Sequence, residues 1–321
     1  MKKIALALIF ICFGIGMLFA EPEKNFIKVG GALEMRENKA GIAISTSMPG
    51  YTGNSEIAGL ELGEGDHSIS MSFKNMDARE IIRILGRTAK FNIVTCRSVT
   101  GKIEQVNMKD VEWPVALASL ADSMGYQTCL QDGIIFVGTA ADFKLLSAPV
   151  SGAPASEDKI SMSFKSAALT NVLQMAVSIR KNSSIIMAAS VIGSFSLSLT
   201  DVSEAVAVKA IARAAGYDCM YNDGVWFVTS PAVISSLRAK ELSVPAVATG
   251  NNISLDFRNT DIRTIFSILA RKGNLNIDLA ENVQGRVSVK IVDQPNTKVA
   301  AFLAWCNGYE VTAATDGIQI K

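Results

Sequence analysis

Apolar and polar residues alternate in three separated stretches of the chain: Ile69-Ser70-Met71-Ser72-Phe73, Ile160-Ser161-Met162-Ser163-Phe164 and Ile253-Ser254-Leu255-Asp256-Phe257. A period of two puts the apolar members on one face, so each stretch predicts a half-buried strand. Beyond each strand the period lengthens. In the third copy Ile262, Ile265, Phe266 and Leu269 recur at helical spacing behind Asp261, a natural N-cap. In the first, Asp77 with Glu80 three residues on has the form of a capping box. In the second only Ser166 stands ahead of the helix.

A short strand then leads to Gly101, Gly193 or Gly285, where the chain can turn without a Cβ penalty, and to a second alternating strand. Phe195, Leu197 and Leu199 face one way in the second copy, as do Val287, Val289 and Ile291 in the third. The first copy breaks the rule: Gln105 and Asn107 take the in-facing positions after Ile103, and Val106 and Met108 take the other phase. That predicts either a β-bulge that resets the pleat or an edge strand. Second helices are expected over Pro114 to Met124, Ser203 to Ala215 and Thr297 to Asn307, each stopping at a glycine, with Pro114 at the first helical position. Each copy closes on a hairpin signalled by Asp132-Gly133, Asp223-Gly224 or Asp316-Gly317.

The three copies align with a period of about 92 residues, too long for the stacked units of a solenoid. The expected fold is α+β: three tandem small modules of order β-α-β-β-α-β-β, with two helices packed on small sheets. The modules cover residues 67–139, 159–230 and 251–321, and the linkers 140–158 and 231–250 each begin as a short helix and end in Ala, Pro, Ser and Gly. Residues 21–66 are Gly-rich and weakly periodic, with no role assigned.

The N-terminus changes the picture of where the modules work. Two lysines, an apolar run from Ile4 to Phe19 and the small Ala20 make residues 1–20 a secretory signal, either cleaved or retained as an anchor. Export makes disulfides permissible: Cys96 and Cys129 lie in one module and either bridge or stay as thiols, while Cys219 and Cys306 read as small buried hydrophobes.

Charge and motifs mainly exclude. With 19% charged residues and a net charge of +1 there is no basic stripe for phosphate contacts, so nucleic acid is not expected as a partner. No nucleophile elbow, phosphate loop, zinc helix or dinucleotide fingerprint occurs, so no catalytic, cofactor-binding or metal-binding residue and no small-molecule substrate is expected. His67 reads as an exposed linker residue, and Tyr126, Tyr217 and Tyr309 as partly buried strand residues at helix exits.

The third copy, with "FRNTDIR" at Phe257 to Arg263, "NI" ahead of "VQGRV" at Val283 to Val287 and a closing Gly308-Tyr309 hairpin, resembles the short N-terminal domain shared by bacterial secretins and TonB-dependent receptors. "DVEWPVAL" in the first copy fits the same pattern, and the second copy fits least well. Neither a secretin pore domain nor a receptor barrel accompanies the modules in this sequence. The resemblance implies a periplasmic, non-enzymatic scaffold or adaptor of a type IV pilus or type II-like secretion machine. It would contact secretin or pilus components, associate with the outer membrane through them, and self-associate in a ring. The alternative it implies is a periplasmic signalling module of a TonB-dependent receptor system. Small α+β modules offer strand edges for β-augmentation, which makes Ile69, Ser70, Met71, Ser72 and Phe73, and Ile253, Ser254, Leu255, Asp256 and Phe257, candidate partner contacts, with Ile160 to Phe164 as the middle counterpart. The competing expectation is that these are ordinary interior strands.

Overall fold

A computed structural model describes residues 26–29, 32–35, 54–60, 67–147, 150, 153, 158–180, 182–240, 242–245, 251–314 and 317–321. The expected signal segment, residues 1–20, lies outside them. Strands β1 (Phe26–Val29) and β2 (Ala32–Met35) and helix α1 (Asn54–Ala58) precede the repeats. The first module is β3 (Ser68–Asp77), α2 (Ala78–Ala89), β4 (Ile93–Thr95), β5 (Lys102–Glu112), α3 (Trp113–Ser123), β6 (Gln127–Gln131) and β7 (Ile134–Gly138). After α4 (Ala140–Leu146) the order repeats as β8 (Lys159–Ala168), α5 (Leu169–Ser178), β9 (Ser184–Met187), β10 (Ser194–Ser203), α6 (Glu204–Ala214), β11 (Asp218–Asn222) and β12 (Val225–Thr229). After α7 (Pro231–Ala239) it repeats again as β13 (Asn252–Asp261), α8 (Ile262–Gly273), β14 (Asn276–Leu279), β15 (Arg286–Pro295), α9 (Asn296–Cys306), β16 (Val311–Ala314) and β17 (Gly317–Ile320). The α+β order expected from the sequence is the one observed.

Local chemistry explains most boundaries. The Asp261 carboxylate accepts the Thr264 N–H at 3.0 Å, and that of Asp77 accepts the Arg79 N–H at 2.9 Å. The expected capping box at Asp77 does not close, because Glu80 turns outward to Arg83 and Lys165. Helix α5 starts after Ala168 without a side-chain cap, and Pro114 is the second residue of α3 rather than the first. The second helices end at Gly125, Gly216 and Gly308, with φ of 74°, 84° and 84°.

Two irregularities recur in every module. At Asn75, Ser166 and Asn259 φ is 50°, 49° and 46°, and two successive side chains of the opening strand face out. In the second and third modules this extra residue lies on the opening strand alone, whose pairing skips between Phe195 and Leu197 and between Phe257 and Thr260. In the first module β5 carries a matching extra residue, so the register holds while both strands change phase, with Val106 and Met108 buried. Of the two sequence expectations the reset pleat is the one observed, for β5 lies between β2 and β3. The second irregularity is at Asp110, Asp201 and Asp293, whose N–H groups donate to the hydroxyls of Ser70, Ser161 and Ser254 at 3.0 Å in each case.

The sheets join the modules. Their strand orders are β1-β2-β5-β3, β6-β7-β4-β10-β8, β11-β12-β9-β15-β13 and β14-β17-β16, so the closing sheet of each of the first two modules continues into the opening sheet of the next. Strands β4, β7, β9 and β12 are therefore buried on both faces. Ile93, Ile135 and Val137 enter the core of the first module, while Val94, Ile134 and Phe136 enter that of the second. Alternation along a single strand thus serves two cores.

Candidate interaction edges and module joints

Each opening strand, β3, β8 and β13, is the terminal strand of its sheet. Ile69, Ile160 and Ile253 are buried and Phe73, Phe164 and Phe257 half-buried on the inner side, while Ser72, Ser163 and Asp256 stand exposed at matching outer positions. Of the residues singled out in the sequence, Met71 and Leu255 complete the inner face, whereas Ser70 and Ser254 are engaged in closing the bulge opposite them. Ser72 Oγ meets Asn107 Oδ1 at 2.6 Å. A partner on these strands would find a row of main-chain groups flanked by short polar side chains, with Lys74, Lys165 and Arg258 at the bulged end.

Sequence periodicity does not reveal which strands meet at the joints. At the first, β10 meets β4 at Ser198 and Ile93, and the Asn92 carboxamide extends the ladder by accepting the Thr200 N–H at 2.7 Å and donating to Thr200 O at 3.0 Å. At the second, Ser288, Val289 and Lys290 pair with Met187, Ile186 and Ile185, and Ser184 Oγ accepts the Val292 N–H at 3.0 Å. Each of the first two Asp-Gly turns then receives a lysine from the next module: Lys209 to Asp132 at 2.8 Å and Lys298 to Asp223 at 2.5 Å. In the sequence these aspartates signal turn chemistry alone. They are turn residues, with φ of 52° and 44°, and joint residues as well.

The linker helices repeat one arrangement, α4 against α6 and α7 against α9, and α1 packs on α3 in the same way with Ile57 fully buried. Within residues 21–66, given no role from sequence, helix α1 thus covers α3 of the first module. Asn54 of α1 donates to Tyr126 O at 2.9 Å and accepts from Thr128 Oγ1 at 2.7 Å. The three tyrosines play the same structural part in their modules. The hydroxyls of Tyr126, Tyr217 and Tyr309 accept the N–H of Thr100, Ile192 and Gln284 at 3.0, 3.1 and 3.0 Å, fixing the loop ahead of each turn glycine.

Beside the first joint a cleft of about 860 Å³ is lined by Arg79, Glu80, Arg97, Lys165 and Ile192. The Glu80 carboxylate meets Arg83 at 2.7 Å and Lys165 at 3.2 Å, and hydrogen bonding from Arg83 foremost holds its pKa at about 2, below the ordinary 4.5, against the opposing effect of burial. A carboxylate whose pKa is depressed by folding stabilises the fold above its unfolded value and loses that contribution as pH falls through the folded one. Glu80→Gln is therefore expected to flatten the fall in urea midpoint between about pH 4.5 and pH 2. An unchanged slope would show that the pair contributes nothing to folding.

Three of the four described cysteines, Cys96, Cys219 and Cys306, are held in the thiol form. Burial pushes the Cys219 and Cys306 thiols up to about 12 and raises that of Cys96 as well. None of the four is in a disulfide, and among the described residues no group of three or more His, Cys, Asp or Glu is placed to hold a metal ion. No described helix is long and apolar enough to cross a membrane.

No family model matches the chain. A stretch of 53 residues, 16% of the chain, is 40% identical to the type IV pilus biogenesis and competence protein PilQ of Neisseria gonorrhoeae, and equally to that of Neisseria meningitidis serogroup A. The match spans 7% of the length of those proteins. At this coarse level the similarity agrees with the secretin resemblance of the repeated motif.

Proposed function

We propose that this protein is a non-enzymatic periplasmic adaptor of a secretin-associated machine, a type IV pilus or a type II-like secretion system, acting through protein–protein contacts. The observation that carries this reading is the fragment of 53 residues similar to PilQ, a protein named for type IV pilus biogenesis and competence. The architecture supports the mode of action: three modules locked into one stack hold three polar strand edges in fixed relation, and weak contacts linked in this way sum to avidity.

The test places a photo-crosslinking residue at Ser72, Ser163 or Asp256, the exposed outer positions of the three edges. Irradiation of intact cells is expected to link at least two of the three to a pilus or secretion secretin. Adducts with a TonB-type receptor or an anti-sigma protein in its place would move the assignment to signalling. Secretin adducts from control positions on α8, with none from the strands, would remove the edges from the interface.

A further inference from the structure

β4 pairs with β10 and β9 with β15, whereas β14 pairs with β17 and no other described strand lies along its second edge. The Ala280 N–H donates to Ile320 O, as that of Cys96 does to Val137 O and that of Ala188 to Val228 O. Peptide groups alternate sides along a strand. Those of Ile277 and Leu279 therefore point to the open edge, in the places from which Ile185 and Met187 meet β15. Ile277 and Leu279 are only half-buried, where Ile93, Ile185 and Met187 are 3%, 0% and 0% exposed.

The outer face of this last sheet differs from the other two. Where Val94 sits beside Phe136, and Ile186 beside Phe227, the third module has Asp278 beside Gln319, hydrogen-bonded at 2.8 Å. A whole further module would lay a helix over Asp278, as α9 lies over Phe227, and a carboxylate buried without a charged partner is strongly disfavoured. A single strand at the edge leaves Asp278 in water.

We propose that the open edge of β14 takes up one extended segment of a partner protein, carrying a basic residue opposite Asp278. The inference rests on the adaptor reading but concerns a different edge from β3, β8 and β13. Both internal joints supply the geometry, since the equivalent edges of β4 and β9 already accept a strand of another module, and β15 shows which side chains fit: Ser288 and Lys290 on the helix side, with Val289 on the face that in β14 belongs to Asp278. A basic side chain at that central position exchanges an apolar contact for an opposite-charge pair.

The probe is a synthetic peptide of the β15 sequence Arg286 to Asp293 carrying Val289→Lys, added to the full chain and followed by hydrogen exchange. Protection of the Ile277 and Leu279 amides is expected, with binding about fivefold tighter than for the unsubstituted peptide. Leu279→Pro, which removes an N–H facing the open edge, should abolish the protection of the Ile277 amide while the chain stays folded. Should that variant fail to fold, Asp278→Lys gives a second test, reversing the preference between the two peptides. Protection confined to β3, β8 and β13 would overturn the inference and leave the adaptor reading standing. Absence of protection anywhere would overturn it too, as would β14 amides protected without peptide in proportion to protein concentration, which would make a second copy the occupant.

Discussion

Asp218→Ala is expected to destabilise the middle module by about 3–5 kcal/mol, a large fraction of the stability of an ordinary domain. Asp218 and Arg213 have side-chain exposures of 3% and 0%, and meet at 2.8 Å. The second carboxylate oxygen of Asp218 reaches Arg238 of α7 at 3.0 Å, and Arg213 donates to Leu146 O at the end of α4 at 3.0 Å. One buried carboxylate thus organises the attachment of both linker helices to the second module. Removing it strands a guanidinium in the core, whereas removing both charges leaves a space that apolar atoms can fill. Arg213→Met with Asp218→Leu should therefore recover most of what Asp218→Ala loses. Thermal unfolding of the parent and both variants decides the matter: a fall on the order of 10 °C for the single change and a small one for the double is expected. Equal falls would mean that packing at these sites, not the ion pair, holds the linkers.

The repeats were legible because periodicity of two and of 3.6 is a local property, and it recurs where Phe73, Phe164 and Phe257 mark each start. Turns were legible for the same reason, with Asp223-Gly224 in the conformation its composition demands. The capping box failed because Glu80 has better partners than a backbone N–H, one of them in the next module. No local rule can anticipate that competition. Asn92, Lys209 and Gln174 carry no local signal for a related reason: each acts across a joint, Gln174 by donating to Phe257 O at 3.1 Å, so its meaning depends on a neighbour that sequence alone does not position.

One signal of the joints was nevertheless present in the sequence. Strands buried on both faces read as continuous apolar runs, as in "IIFVG" of β7 and "VWFVT" of β12, whereas "GIQI" of β17 alternates. Read in this way, the first two hairpins announce a covering neighbour on each side and the third announces water on one. The candidate edges are a different matter. That Ile69 to Phe73 and Ile253 to Phe257 lie at sheet edges depends on strand order, which periodicity does not encode.

Phe227→Gln is expected to have the second large effect, because it puts in the middle module the polar residue that the last module carries at Gln319. Phe227 is fully buried, with its ring centroid 4.9 Å from that of Phe302 on α9. The substitution removes the aromatic contact and places an amide under the helix without a matched partner, so a loss of about 3–5 kcal/mol is expected, concentrated at the second joint. Hydrogen exchange should quicken at Ser288 to Lys290, and proteolysis should cut first in the linker 231–250, while the first joint around Asn92 keeps its protection. Uniform loss across the chain would mean that the stack unfolds as one unit and that its joints have no independent stability. The reverse change carries the opposite expectation. Gln319→Phe with Asp278→Ile leaves the fold intact and lays bare an apolar face of the kind α9 covers in the middle module, so light scattering should detect self-association beyond that of the parent protein. The two variants together ask whether a few side chains decide that the outer face of a module takes a covering neighbour or water.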